Sequence, residues 1–512
     1  MLRICLSLIA TLAPLAAAIH GPVRVEGGLL EGVALADSSV TAFKGVPYAA
    51  PPVGELRWRA PRRTAKWEGI RKADQFSANC MQRIRDSFGP WTAEFQPHGS
   101  VSEDCLYLNV WTAAPAAGEK YPVAVHFHGG AFTDGSGSVP VYDGENLAKK
   151  DVVVVTVNYR VNVLGFFAHP ELTKESEHHS SGNYGLLDQL AALEWVRRNA
   201  AAFGGDPKRI TVMGQSAGAM SVHYLTASPL AKGLFARAIA QSGANVEQGP
   251  GKRLAQAERD GVQFAESKGA HSIAELRAMP ADALLPATGG AGFGPIVDGW
   301  FLPMSVDEVF AQGHESDVAT LTGWDFDEGS FNANYGKASA EEFRKQIRRD
   351  GGSQAEALVT LYLASTQAEA EESQKALARE RAMVSMYLWA ARRAKTGKTA
   401  VYTYLFTHVM PGPARDRYLA FHSSELPYVF NNLNQSSRPW TPEDRKIAEA
   451  VSDYWVNFIR TGDPNRKGLP EWPAFREGSA TIMELGERMG PRPIASPAKV
   501  EALTRALAPG AR

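Results

Sequence analysis

The chain has 512 residues, of which 44% are hydrophobic and 21% charged, and its formal net charge is -1. This is ordinary globular composition, long enough for a large buried core. The absence of a basic excess argues against nucleic acid or an acidic membrane as partner, and no acidic run suggests a solvating tail.

Arg3 supplies a short positive region, Ile4 to Leu15 an apolar run, and Ala16-Ala17-Ala18 an A-x-A site. This is the pattern of a cleavable secretory signal. The run is shorter than the ~20 residues that span a bilayer, so no stable membrane anchor is expected. The mature chain is expected to begin after Ala18, to be secreted or periplasmic, and to form one domain over residues 19–512. Of the three cysteines, Cys5 would leave with the signal. The remaining even pair, Cys80 and Cys105, suggests a disulfide in an exported chain. It would close a loop around Trp91 and contribute about 3 kcal/mol. Two cysteines cannot complete a four-ligand zinc site, and the His178-His179 pair lies in a polar loop. No metal and no cofactor are expected.

Short apolar strands alternate with longer helical stretches, the pattern of a mostly parallel sheet covered by helices on both faces. Strands are expected at Tyr121 to Phe127, Val152 to Val157, Ile210 to Met213, Ala236 to Gln241, Val318 to Thr322 and Val401 to Phe406. The β-branched run at 152–157 suits a strand buried on both faces. Leu186 to Ala202 is amphipathic at helical spacing and stops at Phe203-Gly204-Gly205-Asp206-Pro207. A last clear helix starts with Thr441 as N-cap and Pro442 at its first position and ends near Gly462-Asp463-Pro464. Residues 249–291 and 338–395 read as helical insertions over the active-site edge.

Gly214-Gln215-Ser216-Ala217-Gly218 is a G-x-S-x-G pattern between a strand and a helix. The turn is so sharp that side chains two positions either side of the serine would clash, and it aims the helix N-terminus at the hydroxyl. A neutral serine hydroxyl needs a base to take its proton and an acid to hold that base. In this architecture they follow in the order nucleophile, acid, histidine. The loop after the Val318 strand offers Asp325, Asp327 and Glu328, and spacing does not choose among them. Beyond it lie His408, which ends a strand, and His422, in a turn-like stretch. His128-Gly129-Gly130-Ala131-Phe132 follows an upstream strand. Its glycines let backbone N–H groups approach a developing oxyanion, with the N–H of Ala217 as third donor.

Taken together, these residues resemble the type-B carboxylesterase/cholinesterase family, an α/β-hydrolase group. The resemblance covers nearly all the mature chain. It is carried by Phe43-Lys-Gly-Val-Pro-Tyr-Ala-Ala-Pro-Pro, Ser102-Glu-Asp-Cys105-Leu-Tyr-Leu-Asn-Val, His128-Gly-Gly-Ala-Phe, Asn158-Tyr-Arg, Gly214-Gln-Ser-Ala-Gly, Asp327-Glu-Gly and Phe421-His422-Ser-Ser-Glu-Leu. It implies Ser216, Glu328 and His422 as the catalytic set, Gly129, Gly130 and Ala217 as the oxyanion hole, a Cys80–Cys105 disulfide and an Arg57–Glu103 ion pair. The implied function is hydrolysis of a small-molecule carboxylic ester through an acyl-enzyme.

Departures from the cholinesterase pattern point away from a cationic substrate and toward esterases of the bacterial para-nitrobenzyl type. Gln215 stands where cholinesterases carry Glu. Gly289 and Ala291 stand where they carry bulky aromatic acyl-pocket residues. Trp91 lies in the disulfide loop that holds their choline-binding tryptophan, at a different spacing. A lipase or acyltransferase with the same catalytic set, and a non-catalytic binding protein on the same scaffold, are the alternatives.

Overall fold

The computed structural model describes residues 19, 21–36, 39–244, 251–286 and 292–507. The expected signal segment, 1–18, and the expected pocket residues Gly289 and Ala291 lie outside the described residues. Eleven described strands form one sheet: β1 (Val33–Ala34), β2 (Thr41–Pro47), β3 (Tyr107–Thr112), β4 (Tyr121–Phe127), β5 (Val153–Val157), β6 (Gly205–Gln215), β7 (Arg237–Gln241), β8 (Ala319–Asp325), β9 (Val401–Phe406), β10 (Thr481–Leu485) and β11 (Gly490–Pro493). Their spatial order is β1-β2-β3-β5-β4-β6-β7-β8-β9-β10-β11. Neighbours from β5 to β10 pair in parallel; the pairings outside that stretch are antiparallel. The chain leaves β4 toward β5 on one side and returns to β6 on the other. That reversal opens a crevice at the carboxyl ends of β4 and β6, where ligands of such sheets bind.

Burial on both faces follows from the period-2 alternation of strand side chains. In β4, Val123, Val125 and Phe127 enter one core while Ala124 enters the other; in β5, Val153, Val155 and Val157 oppose Val154. Helices α1 (Tyr184–Asn199), α2 (Ala217–Ala227) and α5 (Gln367–Thr396) supply Leu193, Val222 and Trp389 to the first core. Helix α6 (Pro442–Thr461) supplies Val451, Trp455 and Phe458 to the second. The α/β-hydrolase architecture is therefore present, with helices on both faces.

The capping signals act as expected. The Thr441 hydroxyl accepts from Asp444 N, Pro442 occupies the first position, and the helix ends at Gly462 in the left-handed region, φ 85°. Helix α1 stops earlier than its pattern, at Asn199, and a tight 3-10 turn carries the chain to Gly204, φ 77°. Strand β6 starts directly after it, with a register shift between Gly205 and Ile210 that absorbs Asp206-Pro207. The edge strands were not visible in the sequence. β11 reads Gly-Pro-Arg-Pro and pairs on one side only, the position where proline's missing donor is tolerated.

The helical blocks are α3 (Leu254–Ser267) with two short helices after it, and α4 (Ala340–Asp350) leading into α5. Cys80 and Cys105 form a disulfide. Arg57 pairs with both oxygens of Glu103 at 2.7 Å, while its third nitrogen donates to the carbonyls of Leu276, Arg277 and Met279. One guanidinium thus fastens the disulfide loop to the first insertion. Among the described residues no helix is long and apolar enough to cross a membrane.

Candidate active site

Ser216 sits between β6 and α2 at φ 59°, ψ -124°, a conformation that costs an L-residue energy and persists because the flanking structure imposes it. The neighbouring glycines show why. A Cβ at Gly218 would lie 2.1 Å from the carbonyl oxygen of Phe127, and one at Gly214 2.5 Å from Gly218 itself. The N–H of Ser216 donates to the Gln241 carbonyl at 2.9 Å, which ties the turn to β7.

The loop after β4 packs onto this turn. A Cβ on Gly129 would lie 3.2 Å from Ser216 Cβ and 2.9 Å from the Gln215 carbonyl, so only glycine allows the approach. His128 buttresses the loop from below. Its Nδ1 bonds the Gly129 carbonyl, its own carbonyl accepts from Tyr159, and burial pushes its pKa down to about 4, which keeps the ring neutral. Among the described residues, the N–H groups of Gly130 and Ala217 have no protein acceptor, and that of Gly129 lies close to the Tyr142 hydroxyl.

From the far side of the sheet edge come Glu328, just past β8, and His422, in the loop after β9. Glu328 Oε2 bonds His422 Nδ1, and both side chains are 17% exposed. Glu328 Oε1 accepts from Asp325 N at 2.9 Å and from the Ser242 hydroxyl. The two loops are stitched together by Asp327 N to the Ala420 carbonyl, and by Ser423 N to Asp325 Oδ2 at 2.9 Å. The indole N–H of Trp91 reaches the His422 carbonyl and the Ser423 hydroxyl at 3.1 and 3.2 Å. The outer nitrogen of the imidazole, Nε2, lies 3.2 Å from the amide nitrogen of Gln215, the residue before the serine. The Ser216 hydroxyl itself makes no hydrogen bond among the described residues.

This geometry separates groups that spacing could not. Asp325 turns inward to Ser423 and Ser424. Asp327 is taken by Arg379 and the Tyr335 hydroxyl. Only Glu328, of the three, touches an imidazole. His408 lies elsewhere, between Asp444 and Glu487.

A carboxylesterase family model matches residues 20–501. The chain belongs to the carboxylesterase family. It is 37% identical over 500 residues to a fumonisin B1 esterase of Sphingopyxis macrogoltabida, covering 94% of this chain and 90% of that one. It is 34% identical over 487 residues to the para-nitrobenzyl esterase of Bacillus subtilis (strain 168), covering 91% and 95%. Carboxylic ester hydrolysis is the activity these relationships establish.

In this carboxylesterase, burial works against the charged form of His422, but the adjoining Glu328 carboxylate outweighs it and holds the pKa above the usual histidine value. Ser242, Asp325, Gln241 and Glu425 complete the surroundings of the pair. Of these, Asp325 was offered by the sequence as a candidate acid and Glu425 lay within the histidine motif, whereas Ser242 and Gln241, at and just beyond an expected strand end, were given no role. Trp91 is in the site, but with its N–H committed to the histidine loop; Phe88 stacks on it at 5.7 Å and Phe331 packs at 5.3 Å. Among the described residues no group of three or more His, Cys, Asp or Glu side chains could hold a metal ion.

Proposed function

We propose that this esterase cleaves its substrate through an acyl-enzyme on Ser216, with His422 as base and Glu328 as the group that orients it. The observation that carries this reading is the Glu328–His422 pair, with the outer imidazole nitrogen against the strained turn that presents the hydroxyl. His422 takes the Ser216 proton as the oxygen attacks the ester carbonyl. The tetrahedral oxyanion lies toward the N–H groups of Gly130 and Ala217; Gly129 joins them when its contact with Tyr142 yields. Such donors each carry about 10²–10³ in turnover. The imidazolium, stabilised by Glu328, returns the proton to the departing alkoxide. Water then enters and the same steps run in reverse.

A neutral Gln215 beside the nucleophile gives no charge to draw a cationic alcohol. We take the substrate to be an uncharged-alcohol ester with a bulky acyl group, because the small residues Gly289 and Ala291 stand in the sequence where cholinesterases carry bulky aromatic ones. Residues 19–512 act as one exported unit, freed by cleavage after Ala18; the Cys80–Cys105 disulfide suits an oxidising compartment.

A sulfonyl fluoride or organophosphate should add once, at Ser216, with loss of p-nitrophenyl butyrate hydrolysis in step with labelling. Label on another residue, or full turnover by Ser216→Ala, removes the reading. An ester panel that varies acyl and alcohol groups separately tests the substrate class; strict acetyl preference counts against it. N-terminal sequencing of the exported protein tests the cleavage site.

A further inference from the structure

Beneath the Glu328–His422 pair the sheet edge holds two more carboxyl groups that the mechanism above does not use. Asp325, at the end of β8, is 2% exposed, and Glu425, three residues after His422, is 1% exposed. Their carboxyls are in hydrogen-bonding contact with each other. Asp325 accepts from Ser423 N and the Ser424 hydroxyl. Glu425 Oε1 accepts from the Gln241 amide at 2.8 Å, and Gln241 in turn accepts from the Trp455 indole at 3.3 Å. Glu425 Oε2 is fully buried and receives no other donor.

We propose that Asp325 and Glu425 share one proton and so hold a single negative charge under the Glu328–His422 pair, acting as positioning residues that favour the protonated base. Two anionic oxygens in contact, with no water to screen them, repel strongly; one proton between them turns the repulsion into a hydrogen bond. The orphan oxygen Oε2 then has its donor. The remaining charge settles on Glu425, where the Gln241 N–H already points. The titratable groups that face the pair are Glu328 from the β8 loop, Tyr404 from β9, Tyr142 from the turn at 140–142 and His422 itself. Apart from His422 in its protonated form none is cationic, so with the base neutral the shared proton is the neutralising device at this spot. Burial and the other two carboxylates both push the Asp325 pKa far up, and the field of Glu425 adds to that of Glu328 in raising His422. Asp325 has a second duty: through Ser423 N it clamps the residue next to His422.

The test compares Asp325→Asn, Glu425→Gln and the double variant through the acid limb of kcat/KM against pH. That limb does not depend on the fraction of active protein. Either single change leaves one carboxylate in the pocket, so each moves the limb by less than about 0.3 unit. The double change removes the last charge and lowers the limb by about one unit. Single shifts that add up to the double shift would mean two separate charges; no shift in any of the three would mean none. Either result overturns the proposal. Infrared difference spectra at pH 8 need only the single variants: each should lose one buried protonated-carboxyl band present in the parent protein, and retention of that band in both overturns the proposal. The limb experiment rests on His422 being the base, whereas the infrared one does not. Full activity of His422→Ala would remove that assignment and leave the shared proton still judged by its band.

Discussion

Ser216 and the glycines that face it are held by main chain: a left-handed turn, a carbonyl from β7, and close approaches that leave no room for a Cβ. His422 is held by side chains: Glu328 on its ring, Trp91 on its carbonyl, Asp325 on the residue after it. The serine half is marked in sequence by glycines at 214 and 218, although the main chain that meets them comes from β4 and β7, whereas the imidazole half depends on residues gathered from loops hundreds of positions apart. The first arrangement tolerates almost no substitution at its glycines. The second distributes its hold, so loss of one partner leaves the others in place.

The largest effect should come from His422→Ala, with kcat/KM for p-nitrophenyl butyrate falling about 10⁴-fold or more; Ser216→Ala should match it, and the double variant should be little worse because the two act as a unit. Equal additive losses would break that unity. Next, Gly218→Ala should destabilise the fold by about 1–3 kcal/mol in urea unfolding, because its Cβ meets the Phe127 carbonyl at 2.1 Å and backbone must move. A neutral result would show that the serine half is softer than its contacts imply.

The pH profile sharpens the other half. As the proposed base His422 works only when neutral, and Glu328 holds its pKa above the ordinary ~6.5. Activity should therefore rise with pH through a limb above that value, and Glu328→Gln should move the limb down while lowering the rate. Smaller still is Ser242→Ala, which removes one of two donors to Glu328 Oε1 and should cost about tenfold or less in kcat. Smallest is Trp91→Phe, which keeps the ring packing and drops only the indole hydrogen bonds, for a loss of about threefold.

The same contrast explains what could be read before the fold was known. The Ser216 turn announces itself because its glycines, at 214 and 218, stand close together in sequence. Asp325, Asp327 and Glu328 are indistinguishable in a linear reading, since each is a carboxylate past the same strand. Arg379, Tyr335 and Ser423 divide them, and two of those, Arg379 and Ser423, lie 52 and 98 positions from the carboxylates they hold. The central strands were legible as unbroken apolar runs, because both faces are covered. The edge strands were not: pairing on one side frees them to carry Pro491 and Pro493, which read as breakers.

Arg57 has a mechanical consequence. By gripping Glu103 with two nitrogens and the carbonyls of Leu276, Arg277 and Met279 with the third, it couples the disulfide loop that carries Trp91 to the first helical insertion. The two segments then shift as one piece. Remodelling either of them must carry this rivet along, or the aromatic side chain that steadies the His422 loop will drift with the loosened segment.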